Sequence, residues 1–177
     1  MMTEWGGDDC GGSEEQQAEC SFVQGLADQH LQSWTLWGMN SHGIANGSFT
    51  PQQAEVLSRT YAQAVAGSVV NMTFEQKSRA FELCFEMDSG IAEPTVIYIA
   101  AATFYKDAPD ISTTPNVIAH LRCHIPPPSP LPVTSQSPHF CSGNSVLVTP
   151  ASLDTAPLTP LACVRITPPA SLALEMY

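Results

Sequence analysis

Thirteen of the fifteen prolines fall between residues 107 and 177, and only six charged side chains accompany them there. Proline fixes φ and removes a backbone donor, so a proline roughly every five or six residues predicts a stretch without regular sheet or helix. A foldable body is therefore expected over residues 1–105, near the lower size at which a chain buries a core of its own. Residues 106–177 read as a disordered, low-complexity tail. Within it, Thr149-Pro150-Ala151-Ser152-Leu153 returns as Thr167-Pro168-Pro169-Ala170-Ser171-Leu172. The run Pro126-Pro127-Pro128-Ser129-Pro130 suits polyproline II.

The body divides by hydrophobic period. Residues 1–5 read as a short strand ending at Gly6-Gly7, and the acidic run from Asp8 to Glu19 as a loop. Residues 21–32 carry a helical pattern that puts Phe22, Leu26, Gln29 and His30 near one face. Residues 33–39, apolar and aromatic, predict a buried strand. Thr50-Pro51 has the pattern of a cap followed by proline at a helix start, and that helix is expected to run to about Ala64. Strand–loop–helix–strand–loop–helix is the order of a parallel α/β unit. After Gly67 the period changes to two: Phe81, Leu83, Phe85 and Met87 alternate with Glu82, Cys84 and Glu86. Strands are predicted at 68–74, 80–87 and 95–104, the pattern of an antiparallel sandwich. The fold class is thus α/β followed by all-β, with the boundary between Ser58 and Gly67.

The net charge of −11 sets the protein against nucleic acid, whose phosphates it would repel. Glu4, Asp8, Asp9, Glu14, Glu15, Glu19 and Asp28 all precede the first basic residue, Arg59. Such an acidic start suits a sugar site, and equally a solvated surface. None of the six cysteines stands in a C-x-x-C pair, which leaves zinc and redox sites without support. Cys10 and Cys20 close a short loop and can form a disulfide in an oxidising compartment; free thiols fit the spacing as well. His120, Cys123 and His124 cluster in sequence, but their spacing fits no usual metal-ligand set. Asn46-Gly47-Ser48 and Asn71-Met72-Thr73 are acceptor sequons for N-linked glycans. The chain opens Met1-Met2-Thr3-Glu4-Trp5, without the basic flank and apolar run of a signal peptide, so a parent protein with sequence upstream is expected.

Glu4 is the candidate for chemistry. A carboxylate at the C-terminal end of a parallel strand, followed by an aromatic residue and glycine, projects into the mouth of an α/β barrel. A retaining glycosidase uses such a residue as its nucleophile. Most glutamates near a chain start are simply solvated. Trp34 and Trp37 stand three residues apart on the next predicted strand and so point to opposite faces. One indole would face the helices and the other would offer a flat apolar platform to a pyranose ring; two core tryptophans are the plain alternative.

These segments resemble, in order, parts of glycoside hydrolase family 5. Met2-Thr3-Glu4-Trp5-Gly6 looks like the nucleophile motif on the seventh strand of that family's barrel, and Ser33-Trp34-Thr35-Leu36-Trp37 like its eighth strand. The segment from Leu26 to Trp34 is similar to the helix-to-strand passage of endoglycoceramidases. Leu57-Ser58-Arg59-Thr60-Tyr61-Ala62-Gln63-Ala64-Val65-Ala66-Gly67 resembles the segment joining their barrel to a C-terminal β-sandwich. Phe81-Glu82-Leu83 and Glu93-Pro94-Thr95-Val96-Ile97-Tyr98 resemble that sandwich's early strands. The resemblance implies the truncated end of a (β/α)8 TIM barrel over residues 1–57, a partial antiparallel β-sandwich over 58–105, and the tail beyond. It implies Glu4 as nucleophile and Trp37 and Trp34 at the sugar site, with Trp37 the platform; His42, in the glycine loop that follows, is a candidate for the border of the cleft. The implied reaction is cleavage of glycosphingolipid to oligosaccharide and ceramide, without cofactor. The implied setting is secreted or lysosomal, with peripheral contact to a membrane surface. The sequence departs from the family in lacking the asn-glu-pro segment that supplies the acid/base, so the chain alone is expected to be inactive. A non-catalytic sandwich module binding a lipid surface or a partner is the alternative.

Overall fold

The computed structural model describes residues 2–6, 8–37, 50–105, 108–114, 117–123, 144–150 and 161–169. Strand β1 (Met2–Trp5) runs parallel to β2 (Trp34–Leu36), and helix α1 (Glu14–Gln29) joins them. α1 begins earlier than its apolar pattern suggests. Ser13 and Gln16 form a reciprocal capping box, and Glu14 and Glu15 in the first turn suit the positive end of the helix dipole. The stretch before Glu19 is therefore largely helix, not loop. The buried stripe is Cys20, Gln24, Ala27 and Asp28, whereas Phe22 and Leu26 are exposed. The face expected inside is thus the outer one.

Helix α2 (Pro51–Leu57) starts as read, with a second capping box between Thr50 and Gln53 and proline at its first position. It stops at Leu57 rather than near Ala64. Residues Tyr61–Ala64 instead form β3, whose ladder to β6 (Thr95–Ile99) overrides the helical preference of alanine.

Two antiparallel four-stranded sheets follow, in the orders β4-β5-β10-β7 and β3-β6-β9-β8. Their strands are β4 (Gly67–Glu75), β5 (Ala80–Met87), β7 (Asp110–Thr113), β8 (Val117–Cys123), β9 (Asn144–Pro150) and β10 (Leu161–Thr167), in addition to β3 and β6. A four-residue helix α3 (Ala101–Phe104) follows β6, where a longer strand was expected. Phe81, Leu83 and Phe85 face the core as the alternation of β5 demands. They meet Ile97 and Ile99 of β6, Val146 and Val148 of β9, and Ala162, Val164 and Ile166 of β10 in one buried cluster.

The disordered tail is overturned by these strands. Half of the sandwich's eight strands come from residues 110–167. The prolines lie between the strands: Pro150 closes β9, and β7, β8 and β10 contain none. β10 sits between β5 and β7, so the sheet could not close without it. Cys84 and Cys163 face each other across the β5–β10 ladder and are joined by a disulfide that spans 79 residues of sequence. A proline count averaged over the segment hid strands of four to seven residues.

Arg59, between α2 and β3, ties the α/β unit to the sandwich. Its guanidinium donates to Gln24 Oε1 of α1 at 3.2 Å and to Phe74 O of β4 at 3.3 Å, and it pairs with the carboxylate of Asp28. It also lies over the Phe74 ring, 5.0 Å from the centroid. Only 5% of Arg59 is exposed. Nearby, the buried Tyr105 hydroxyl donates to Arg79 O at 2.9 Å and meets Thr60 Oγ1 at 3.2 Å. Arg59→Met should destabilise the protein by about 3–5 kcal/mol, since it strands a buried carboxylate. Adding Asp28→Leu should recover most of the loss, as denaturant unfolding of the single and double variants would show.

Burial pushes the Asp28 carboxyl up from its ordinary value of 3.8, and the Arg59 guanidinium offsets this only in part. The folded state therefore holds a proton that the unfolded chain releases more easily. The resulting stability is fully present below the unfolded value and is lost as pH rises through the folded one. Melting temperature should fall more steeply with rising pH, from about pH 4 upward, in the wild type than in Asp28→Asn. Equal slopes in the two proteins would refute this.

Candidate active site

β1 and β2 present their C-terminal ends together. Met2 N–H donates to Ser33 O at 2.7 Å at one end of the pair, and Trp37 N–H donates to Trp5 O at 2.9 Å at the other. The register shifts between Met2 and Trp5, and Glu4 lies at that irregularity with φ 59°. A non-glycine residue in the left-handed region is uncommon and costs roughly 1–2 kcal/mol. Such strain persists only where the surroundings over-determine it, and it gathers at functional sites.

The surroundings are identifiable. Gly6 has φ 76°, and a Cβ there would lie 2.5 Å from Leu36 Cδ1 and 3.3 Å from Cys10 Sγ. The positive φ favours glycine whatever the space, and the chain turns sharply straight after Trp5. The Cys10–Cys20 disulfide is formed, and both sulfurs are buried against Val56 with Trp5, Leu36 and Leu57 packed around them. This small core holds the helix-facing side of the two strands. Trp5 also meets Trp34 edge to face, with centroids 5.2 Å apart.

Trp5 and Leu36 are half-buried on that core, while their neighbours Glu4 and Trp37 are exposed, Trp37 at 62%. The carboxylate and the indole therefore stand at the same end of adjacent parallel strands, clear of the helices. Trp34 is placed differently: it packs on Trp5 and lines a cavity of about 750 Å3 with Leu36, Leu57, Tyr61 and Tyr98. Glu4 and Trp37 do not line that cavity, which lies between the α/β unit and the sandwich. His42 and Asn46 lie outside the described residues; Asn71 is exposed on β4. His30 caps the C-terminus of α1 and is exposed.

Two features escaped the sequence reading. The buried Arg59–Asp28–Gln24 group had a signal, since Arg59 is the lone cation of the first 76 residues amid many acids. The Cys84–Cys163 pair had none, because its partners become neighbours only through strand pairing.

Residues 59–126 match the family described as Glycoside hydrolase family 5 C-terminal domain. Solved structures show the same fold around it. The lactosyl-enzyme intermediate of endo-glycoceramidase II from Rhodococcus sp. superposes with a TM-score of 0.61 at 18% identity, over 96% of this chain and 33% of that one. The ganglioside GM3 complex of the same enzyme gives 0.56 at 18% identity, over 88% and 29%. Sterylglucosidase 1 from Cryptococcus neoformans gives 0.59 at 10% identity, over 90% and 25%. The chain spans at most about a third of these proteins, and likeness at such identity speaks to fold alone. No curated protein matched in a sequence search. The match to the family 5 C-terminal domain reaches well past Tyr105, in keeping with β7 and β8 as sandwich strands.

Glu4→Gly should relieve the left-handed backbone at the end of β1. Set against the larger unfolded-state entropy of glycine, the net gain is about 0.5–1 kcal/mol. Glu4→Gln, which keeps the strain, should leave stability unchanged. Thermal unfolding of the two variants decides, and a destabilised Glu4→Gly would refute the strain.

Proposed function

We propose that this chain is part of a retaining glycoside hydrolase, with its α/β unit the end of a (β/α)8 barrel and Glu4 the nucleophile. The observation that carries the reading is Glu4 itself: strained, exposed, beside Trp37 at the C-terminal ends of two parallel strands, joined to a family 5 C-terminal domain. In such barrels the reacting groups stand at that face. Glu4 would attack the anomeric carbon and form a glycosyl ester, and water would then release the sugar with net retention. Trp37 would stack on the pyranose ring, Trp34 would support the floor from behind through Trp5, and His42 would border the cleft. The second carboxylic acid must stand roughly 5–5.5 Å from the first. No Asn-Glu-Pro segment occurs in the 177 residues, so the acid has to come from sequence outside them.

The substrate proposed is a glycosphingolipid, cleaved to oligosaccharide and ceramide without metal or nucleotide. Support comes from the likeness to endo-glycoceramidase II, one structure of which is a ganglioside GM3 complex and another a lactosyl-enzyme intermediate, the species a retaining mechanism requires. Two disulfides support a secreted or lysosomal setting.

The 177-residue chain alone should show no turnover of glycolipid or aryl glycoside. In a polypeptide that joins it to the acid-bearing part of the barrel, Glu4→Ala should lower turnover by several orders of magnitude. Azide should then restore activity and yield a glycosyl azide of inverted anomeric configuration. Full activity in Glu4→Gln, or a trapped glycosyl ester on another carboxylate, would overturn the assignment.

A further inference from the structure

The sequon Asn71-Met72-Thr73 plays no part in the proposed reaction, yet its position in the sandwich is distinctive. β4 is an outer strand of its sheet, and its ladder to β5 carries one extra residue: Val69 faces Phe85, Asn71 faces Cys84, and Val70 has no partner. This bulge leaves Val70 and Asn71 exposed in succession, Val70 at 58%. The Asn71 side chain makes no hydrogen bond with another described residue, so its amide is free for substitution. Cys84 lies directly opposite Asn71, and Cys163 lies opposite Cys84 on β10. Asn71, Cys84 and Cys163 therefore form one row across three strands. Both cysteines are only half-buried, which leaves their disulfide within reach of solvent thiols.

We infer that Asn71 is an N-glycan acceptor and that its glycan covers the Cys84–Cys163 disulfide and the open bulge at Val70. The compartment that forms such disulfides is also the one in which N-glycans are attached. The co-reactant is an oligosaccharide linked to a polyprenyl pyrophosphate. Asn71 Nδ2 forms a bond to the anomeric carbon, the bond from that carbon to the pyrophosphate oxygen breaks, and the amide loses one proton to a base of the transferase. No electrons change hands. The glycan then stands where a thiolate must approach either sulfur, and beside an edge strand that would otherwise show an apolar residue to other chains. This inference does not depend on the role of Glu4.

The test is secretion of the full chain from a eukaryotic host in an Asn46→Gln background, which silences the other sequon. The Asn71 peptide should carry an oligosaccharide removable by peptide-N-glycosidase, and Thr73→Ala, which keeps Asn71, should lose it. Dithiothreitol should reduce Cys84–Cys163 several-fold faster in the secreted Asn46→Gln protein deglycosylated after folding than in the same protein left untreated. That comparison needs no change at Asn71 or Thr73. An unmodified Asn71 peptide in secreted material that contains the Cys84–Cys163 bond would overturn the acceptor. Equal reduction rates with and without glycan would overturn the shielding.

Discussion

A buried cation, Arg59, ties the two halves of this chain together, alongside the contacts of Glu55 with Gln76 and Arg79. Arg59 is the first residue after the α/β unit to reach both sides, and it donates to α1 and to β4 while covering the Phe74 ring. A guanidinium suits this work: it is always charged, planar, and offers several donors in fixed directions. The Cys20, Gln24, Ala27, Asp28 face of α1 is too polar to be buried without such a partner. Apolar packing alone would have favoured the Phe22 and Leu26 face, and would have turned the helix over.

From that anchor the order passes to the site through contacts, not through distance. α1 is fixed to the sandwich by Asp28 and Gln24, and to the turn after β1 by the Cys10–Cys20 bond. That bond, with Leu36, crowds the position a Cβ at residue 6 would take. Gly6, at φ 76°, makes the tight turn there. The sandwich is then more than an appendage, since its Phe74 carbonyl and ring complete the Arg59 site.

Alternation in 80–87 and the helix start at Thr50-Pro51 carried over faithfully, whereas the Ser13 box lay inside a stretch read as loop. Each is a short-range pattern whose physics is complete within a few residues. Tyr61–Ala64 and the strands beyond Tyr105 did not carry over. Their strand state depends on ladder partners far along the chain, Tyr98 for Tyr61 and Phe81 to Glu86 for β10. The proline-rich composition described the connections and masked the strands between them. The motif around Glu4 and the Trp34–Trp37 pair were legible, while the difference between the two tryptophans was not. Both are aromatic and three residues apart; only packing against Trp5 and the cavity made one of them a wall and left the other free.

By itself the sequence determined the helix start at Thr50-Pro51, strands close to 68–74 and 80–87, and which residues of β5 must be buried, because period and capping are local. It also carried the motifs that resemble family 5. The tertiary structure decided which face of α1 turns inward, that residues 110–167 complete the two sheets, and which cysteines meet. Those outcomes rest on partners brought together from distant positions, and no local pattern contains the free energy of a contact between strands 79 residues apart.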